Sequence, residues 1–174
     1  MTQKDKVTIR EDVDRFMRYS DSEEAYIRHY IGLADTKATF LFSAYVIIIG
    51  GLLSDRKILR GIIDAESCIT SAVIILALFL SITGAAISFW VVAPRLYTSS
   101  SKGFIFFNAI SAFENSTHYT AEVMKLTDIN VLREKLAHCY DTAKVCSKKY
   151  NRLRLAIWIF PIALLFAFFA KFWI

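Results

Sequence analysis

Side chains that could carry out chemistry are few in this sequence, and none belongs to a recognised catalytic motif. His29, His118 and His138 are scattered along the sequence, and we expect each to be a surface or interfacial residue. The sequence has no glycine-rich phosphate loop, no HExxH motif and no GxSxG motif. We therefore expect a protein that is not an enzyme and has no catalytic residues, no metal and no cofactor.

The three cysteines do not suggest a metal site either. Cys68, Cys139 and Cys146 form no CxxC pair and no Cys/His cluster with zinc spacing. Cys139 and Cys146 are seven residues apart, so they share one face of a helix. We expect them to act as small buried hydrophobic residues.

Asp35 is the acidic residue whose position is most informative, because it comes just before an apolar segment. Lys37 follows two residues later and points to nearly the opposite side of a helix, so the two should not pair with each other. Charges near a bilayer either anchor at its surface or face protein and water. If Asp35 pairs with a neighbouring helix, Arg95, Arg152 and Arg154 are the candidate partners.

A basic cluster precedes the last apolar segment, and it consists of Lys148, Lys149, Arg152 and Arg154. Anionic lipid is one partner for such a cluster. A phosphate-bearing ligand is the other, since the planar guanidinium of arginine binds phosphate through two parallel hydrogen bonds. Both interpretations remain open from the residues alone.

Three apolar segments position these charges. The 174-residue chain is 55% hydrophobic, whereas about 45–50% is usual for soluble domains. Residues 31–53, 69–93 and 155–174 are each long enough to cross a bilayer as a helix. Gly50 and Gly51 lie inside the first span, where small residues allow neighbouring helices to approach closely.

The distribution of basic residues predicts the orientation. Residues 1–37 carry seven Lys and Arg, residues 54–68 carry three, and residues 94–154 carry ten. Basic segments stay on the cytoplasmic side of a membrane. We therefore expect a cytoplasmic N-terminus, a cytoplasmic region over residues 94–154 and a C-terminus outside. The net charge of +5 then reflects Lys and Arg on the cytoplasmic side of a lipid bilayer, and we expect no binding to nucleic acid.

The polar segments have the periodicity of amphipathic helices. In the C-terminal half, apolar or small residues recur at alternating steps of three and four, the spacing of a helix packed along another helix; they are Ile129, Leu132, Leu136, Cys139, Ala143, Cys146, Tyr150 and Leu153. A weaker register near the N-terminus, broken at Ser20 and Glu23, contains Ile9, Val13, Phe16, Ile27, Tyr30 and Ala34. No segment alternates like a strand. The expected fold is an all-α membrane protein with three transmembrane helices and cytoplasmic amphipathic helical stalks, divided into an N-terminal segment (1–30) and a membrane domain (31–174).

Four runs of residues, taken in order, resemble one known family. Tyr30–Ala38 (YIGLADTKA) leads into the first span, and Pro94–Arg95 closes the second. Gly103–Phe107 begins the cytoplasmic region, and Lys149–Arg154 leads into the third span. These runs are similar to the transmembrane effector domain of the Pycsar family over about residues 26–174.

The resemblance implies a function that the residues alone do not. In Pycsar systems of bacterial anti-phage defence, a pyrimidine cyclase makes cyclic UMP or cyclic CMP. An effector binds this messenger and damages the inner membrane, which causes abortive infection. Related membrane domains respond to other nucleotide signals. The resemblance thus implies a homo-oligomeric protein of the inner membrane, with cUMP or cCMP as its ligand.

The resemblance and the charges together suggest where that ligand would bind. The chain has no room for a β-roll that binds cyclic nucleotides, so a site would be built from helices, at a subunit interface. The candidate residues are Asp35, Lys37, Arg95, Lys102, Arg152 and Arg154. The alternative function is a non-enzymatic membrane anchor or scaffold that recruits a cytoplasmic partner through the Ile129–Leu153 helix. A constitutive small transporter or channel is a third and weaker interpretation.

Overall fold

The described part of the chain is almost entirely helical, and it contains no strand. The structure is a computed structural model that describes residues 3–55, 58, 68–93 and 107–172. Its five helices are α1 (Gln3–Ser54), α2 (Cys68–Val92), α3 (Phe107–Ser111), α4 (Ser116–Val123) and α5 (Asp128–Phe172). α1, α2 and α5 are each long and apolar enough to cross a membrane. The predicted all-α membrane fold with three spanning helices is therefore confirmed.

The helices form two compact units, and α1 and α5 contribute to both. The first unit contains Met1–Tyr30 and Arg95–Cys146, and the second contains Ile31–Pro94 and Ser147–Ile174. The division into residues 1–30 and 31–174, made from the sequence, stays a prediction.

In the first unit, α1 and α5 run parallel to each other. Lys135 Nζ lies 2.5 Å from Asp21 Oδ1, and one turn further along both helices His138 Nε2 lies 3.4 Å from Glu24 Oε1. Each pair therefore joins residues 114 positions apart. Equal separations in both pairs mean that the two helices advance in the same direction at the same rate.

The register of α1 in the first unit differs from the one predicted. Phe16 and Tyr30 were assigned to the packed face, but their exposed fractions are 46% and 37%. Met17 is half-buried and Ser20 is 2% exposed instead. Ser20 can be buried at little cost because its hydroxyl donates a hydrogen bond to the carbonyl of Met17. A serine that satisfies itself in this way does not interrupt the packed face.

The first unit also contains the short helices α3 and α4, and α4 has a clear start signal. The side chain of Asn115 accepts a hydrogen bond from the backbone N–H of His118, which caps the N-terminus of α4. The ring of Phe113 stands edge-on to those of His118 and Tyr119. These contacts pack the turn before α4 against its first residues.

The second unit is a three-helix bundle in which α1 and α5 are parallel and α2 is antiparallel. Its core has three layers, each with residues from all three helices. The first layer contains the buried residues Ala34, Ala38, Val91 and Leu153. The second contains Tyr45, Ala85 and Ala163. The third contains Leu52, Ile74, Ala77 and Ala170, together with Ile58. Residue numbers rise along α1 and α5 from layer to layer and fall along α2.

Small residues allow the three helices to approach closely. Ala156, Ala163 and Ala170 are buried at seven-residue spacing along α5, and Ser81 and Ser88 are buried on α2. In lipid, close packing of small residues replaces the hydrophobic effect as the source of helix association. The large apolar side chains of these helices, such as Phe40, Phe79 and Trp158, are exposed to the surroundings, as a lipid-facing surface requires.

The middle layer contains a hydrogen bond between helices. The hydroxyl of Tyr45 on α1 donates to the carbonyl of Ala156 on α5 over 2.7 Å. Pro161 lies inside α5 and has no N–H for the carbonyl four residues earlier. Neighbouring side chains that bond to the backbone near such a proline make it tolerable in a membrane helix. The bond from Tyr45 reaches the carbonyl of Ala156, which is next to Ile157, the residue whose carbonyl loses its donor.

Candidate ligand site at the Asp35 end of the second unit

Asp35 and Lys149 form an ion pair between α1 and α5 in the second unit, next to the layer that contains Ala34 and Leu153. Lys149 Nζ lies 2.5 Å from Asp35 Oδ1. Lys149 is only 7% exposed, and a buried ammonium group is tolerated only when it is paired. The ion pair therefore neutralises the charge of Lys149 and sets the register of α1 against α5 at this end.

Among the described residues, Asp35 pairs with Lys149 and not with Arg152 or Arg154, two of the arginines expected from the sequence. Arg154 is exposed, and Arg152 is directed toward α2, while Arg95 lies outside the described residues. Lys149 lies one helical turn before Leu153, on the buried face of α5. Because residues four apart share a face, the predicted burial of Leu153 was the signal that could have identified Lys149.

Arg152 is the cation of this site that lacks a complete set of acceptors. Its guanidinium carbon lies 5.2 Å from the centre of the Trp90 ring, a favourable cation–π contact. Its Nη1 atom is buried and has no hydrogen-bond partner. A buried charged donor without an acceptor costs more than the ~1–3 kcal/mol of a neutral one. An anionic acceptor would therefore stabilise this arginine, which is itself only partly buried.

An apolar layer supports these charged groups. Ala34, Ala38, Val91 and Leu153 are buried together, and the half-buried Tyr150 packs against them. This layer keeps water away from one side of the ion pair and strengthens its electrostatic attraction. The site thus combines a paired lysine with an arginine that contacts the Trp90 ring and has a buried donor without an acceptor, next to an apolar layer.

The six residues predicted to bind the ligand are placed differently by the structure. Asp35 and Arg152 lie at the same end of the second unit, around Val91 and Leu153. Lys37 and Arg154 are exposed, and Lys37 is two residues beyond Asp35, on the far side of α1. Arg95 and Lys102 lie outside the described residues. Lys149 was named in the basic cluster but not among these six residues, and Trp90 was not named at all. A role for any of these residues in binding stays a prediction.

The residues predicted to pack helices together also vary in burial. On α5, Leu132, Cys139, Ala143 and Cys146 are half-buried in the first unit, whereas Ile129 and Leu136 are exposed. In the second unit, Tyr150 is half-buried and Leu153 is buried. Gly50 and Gly51 are exposed on α1, with no atom within 4 Å of a Cβ placed on either. Their predicted packing against another subunit stays a prediction.

Among the described residues, no group of three or more His, Cys, Asp or Glu side chains is arranged to hold a metal ion. Cys139 is a free thiol, and burial, with the nearby Glu23 and Glu24, raises its pKa. A raised pKa lowers the thiolate fraction at neutral pH, which makes this cysteine a poor nucleophile.

Comparison with known families identifies the family of this chain. A family model described as the Pycsar effector protein domain (PycTM) matches residues 20–174, which includes all three spanning helices and the ion pair. The chain belongs to the Pycsar effector family. Comparisons with curated proteins and with solved structures gave no match.

Membership in the Pycsar effector family has two consequences. It implies an effector of anti-phage defence that is regulated by a cyclic nucleotide. The Pycsar transmembrane domain is not a known enzyme family, which agrees with the lack of catalytic motifs in the sequence. The resemblance identified from the YIGLADTKA run is confirmed, and the run itself contains Asp35 of the ion pair.

Proposed function

We propose that this protein is an inner-membrane effector of bacterial anti-phage defence that is activated by cyclic UMP or cyclic CMP. A partner cyclase would make the nucleotide on infection. The activated effector would impair the membrane and stop growth before the phage matures. The observation that best supports a directly sensed ligand is the buried Nη1 of Arg152, which has no acceptor beside a paired Lys149.

The messenger would act on this site through its phosphate. A cyclic nucleotide carries one phosphodiester with a single negative charge, and guanidinium groups bind such anions in bidentate fashion. The phosphate would accept from Arg152 and compete with Asp35 for Lys149. The base would stack on Trp90. Lys37, Arg95, Lys102 and Arg154 would add positive potential around the site.

Competition for Lys149 would change the contact between α1 and α5 in the second unit. A ligand shifts a conformational equilibrium only by the difference between its affinities for the two states. If the active state separates Asp35 from Lys149, the phosphate gains a second cation there that it lacks in the resting state. This difference would make binding favour the active state.

The test is leakage of dye from liposomes that contain the full-length protein. Saturating cUMP or cCMP should release dye, whereas a purine cyclic nucleotide should not. Arg152→Gln should abolish the response, and Arg133→Gln, at an exposed position of the first unit, should retain it. Intact liposomes at saturating levels of both pyrimidine nucleotides would contradict the proposal.

A membrane anchor or scaffold is the second candidate, favoured by the exposure of Ile129 and Leu136 on α5. Thermal unfolding in detergent distinguishes the two functions. A ligand at about 100 times its dissociation constant stabilises a protein by about 2.7 kcal/mol. A copurifying cytoplasmic partner that is lost on Leu136→Glu, together with no stabilisation by any nucleotide, would support the scaffold.

A further inference from the structure

The side chain of Tyr45 is a point at which all three helices of the second unit meet. Tyr45 belongs to α1 and is completely buried. Its ring lies beside Gly84 of α2, where an added Cβ would be 2.1 Å from Cζ of the ring. Its hydroxyl donates to the carbonyl of Ala156 on α5, and its ring stands edge-on to that of Phe160. Because hydrogen bonds weaken steeply with distance and angle, the bond to Ala156 is specific to one arrangement of these helices, here called the closed state.

Pro161 is the position at which α5 bends most readily. It has no N–H for the carbonyl of Ile157, and sharp bends in helices occur at such positions. α5 contains no other proline and no glycine. In the closed state α5 nevertheless continues as one helix from Asp128 to Phe172. A contact close to Pro161 can therefore decide whether α5 stays continuous or bends.

The candidate ligand site lies on the same side of Pro161 as the bond from Tyr45. Lys149 precedes Ala156 by seven residues, about two helical turns, and both lie on the buried face of α5. No proline or glycine separates them, so we expect this part of the helix to move as one body. A shift that separates Lys149 from Asp35 therefore also acts on the bond between Ala156 and Tyr45.

The part of α5 after Pro161 has contacts of its own. Ala163 is buried in the layer of Tyr45, and Ala170 is buried in the next layer, together with Leu52 of α1. These contacts hold the end of α5 independently of the ion pair at Lys149. The two parts of α5 are thus attached separately to the second unit, as a hinge between them requires.

A buried hydroxyl on α2 favours a state in which water enters the second unit. Ser81 is completely buried, and its Oγ atom has no hydrogen-bond partner. Ser88 on the same face of α2 differs, because its hydroxyl donates to the carbonyl of Gly84. A buried polar group without a partner costs free energy that contact with water recovers. The contacts of the closed state, including the bond of Tyr45, must offset this cost.

We propose that Tyr45 holds α5 in the closed state, and that loss of its bond to Ala156 lets α5 bend at Pro161 and admits water to the second unit. The proposal deepens the proposed function and rests on it for the signal, which is the separation of Lys149 from Asp35 by a bound phosphate. It names the contact that this signal breaks. The closed state itself needs no nucleotide, so the contact can be measured without one.

Hydrogen–deuterium exchange of the full-length chain in detergent tests the contact in the absence of nucleotide. Tyr45→Phe removes the hydroxyl and keeps the ring beside Gly84, so no cavity forms. The backbone amides of residues 153–160 should exchange several-fold faster than in the unchanged chain, whereas those of residues 164–172 should keep their rate. Tyr140→Phe, at an exposed position of the first unit, is the matched control and should change neither region.

Pro161→Ala tests the hinge in the same measurement. The substitution restores an N–H for the carbonyl of Ile157 at an exposed position, so the bundle core stays unchanged. In the double variant Tyr45→Phe/Pro161→Ala, residues 153–160 should therefore exchange about as slowly as in the unchanged chain. Ser81→Ala should slow this exchange below that of the unchanged chain, because it removes the hydroxyl that favours entry of water.

Leakage of dye from liposomes connects the contact with the proposed function. Without nucleotide, Tyr45→Phe should release dye several-fold faster than the unchanged chain, and Pro161→Ala should suppress this release. Faster exchange in Tyr45→Phe, with intact liposomes for every variant and nucleotide, would support the contact and contradict the proposed function.

Three results would overturn the role of Tyr45. The first is equal exchange in Tyr45→Phe and the unchanged chain. The second is faster exchange that Pro161→Ala does not reverse. The third is a nucleotide response of the unchanged chain without any leakage by Tyr45→Phe, since the signal would then break a different contact.

Discussion

At the scale of single residues, Gly84 controls the middle layer of the second unit. A Cβ placed on Gly84 would lie only 2.1 Å from Tyr45 Cζ. Tyr45 is fully buried, with the Phe160 ring edge-on to it at 5.4 Å between ring centres. The tyrosine therefore has no room to move aside without giving up its hydrogen bond to Ala156.

We predict that Gly84→Ala destabilises the protein by about 1–3 kcal/mol, because overpacking and the lost hydrogen bond exceed the gain in helix propensity. Unfolding of the detergent-purified protein by heat or by SDS measures this change. Gly32→Ala is the control, since nothing lies within 4 Å of a Cβ there, and it should be neutral or slightly stabilising. Equal effects of the two substitutions would show that Tyr45 does not need Gly84.

At the scale of helices, the described residues of α1 and α5 form two lysine–aspartate ion pairs that differ in burial. In the second unit, the side chains of Lys149 and Asp35 are 9% and 34% exposed. In the first unit, those of Lys135 and Asp21 are 25% and 57% exposed. In both pairs a lysine ammonium contacts an aspartate carboxylate, and only the burial differs. The two pairs can therefore be compared to measure the effect of burial on stability.

Removal of the buried partner should cost more than removal of the exposed one. Asp35→Asn leaves the Lys149 ammonium buried without a counter-charge, and such a loss costs about 3–5 kcal/mol when burial is complete. Because Asp35 is partly exposed, we expect the loss in the free energy of unfolding to lie near the lower end of this range. Asp21→Asn should cost at most about 1 kcal/mol, as for surface ion pairs.

Thermal unfolding of both variants, at low and high salt, measures the difference. Salt should weaken the contribution of the Asp21 pair more than that of the Asp35 pair, because buried charges are screened less. The double variant Asp35→Asn/Lys149→Met should recover part of the stability lost in Asp35→Asn, since it removes the unpaired charge. If Lys149→Met gives no recovery, Asp35 acts through a group other than Lys149.

The sequence predicted the helices better than it predicted their contacts. Uncharged length is a local property, so the spans over residues 69–93 and 155–174 could be recognised directly. The partner of Asp35 depends on how α5 is aligned with α1. The two residues are 114 positions apart, so no local sequence pattern could predict that they pair. Ser20 shows the same limit, because its burial depends on a hydrogen bond within the helix and not on its polarity.

The hydrogen bond from Tyr45 to Ala156 was also beyond local analysis. Its two residues are 111 positions apart, and its geometry requires a third residue, Gly84, on another helix. Gly50 and Gly51 were predicted to allow close helix packing because they are adjacent inside a span. In the structure, the glycine that leaves room for a side chain of another helix is Gly84 of α2, next to Tyr45.

At the scale of the whole molecule, orientation in the membrane remains a prediction from charge. Exposed residues at the ends of the described helices provide sites to test it. Ser54 lies at the end of α1 and Ser116 at the start of α4, and both are exposed. If the N-terminus is cytoplasmic, Ser54 lies outside the inner membrane and Ser116 lies inside.

We predict that a membrane-impermeant maleimide labels Ser54→Cys in intact spheroplasts but labels Ser116→Cys only after lysis. Both variants carry serine in place of Cys68, Cys139 and Cys146, so that each has a single thiol. The physical reason is the retention of basic segments in the cytoplasm, since seven and ten basic residues flank the spans on one side and three on the other. The opposite labelling pattern would place the Asp35–Lys149 pair at the outer surface, where a messenger made in the cytoplasm could not reach it. The experiment therefore decides whether a directly sensed cytoplasmic ligand is topologically possible, before any nucleotide is added.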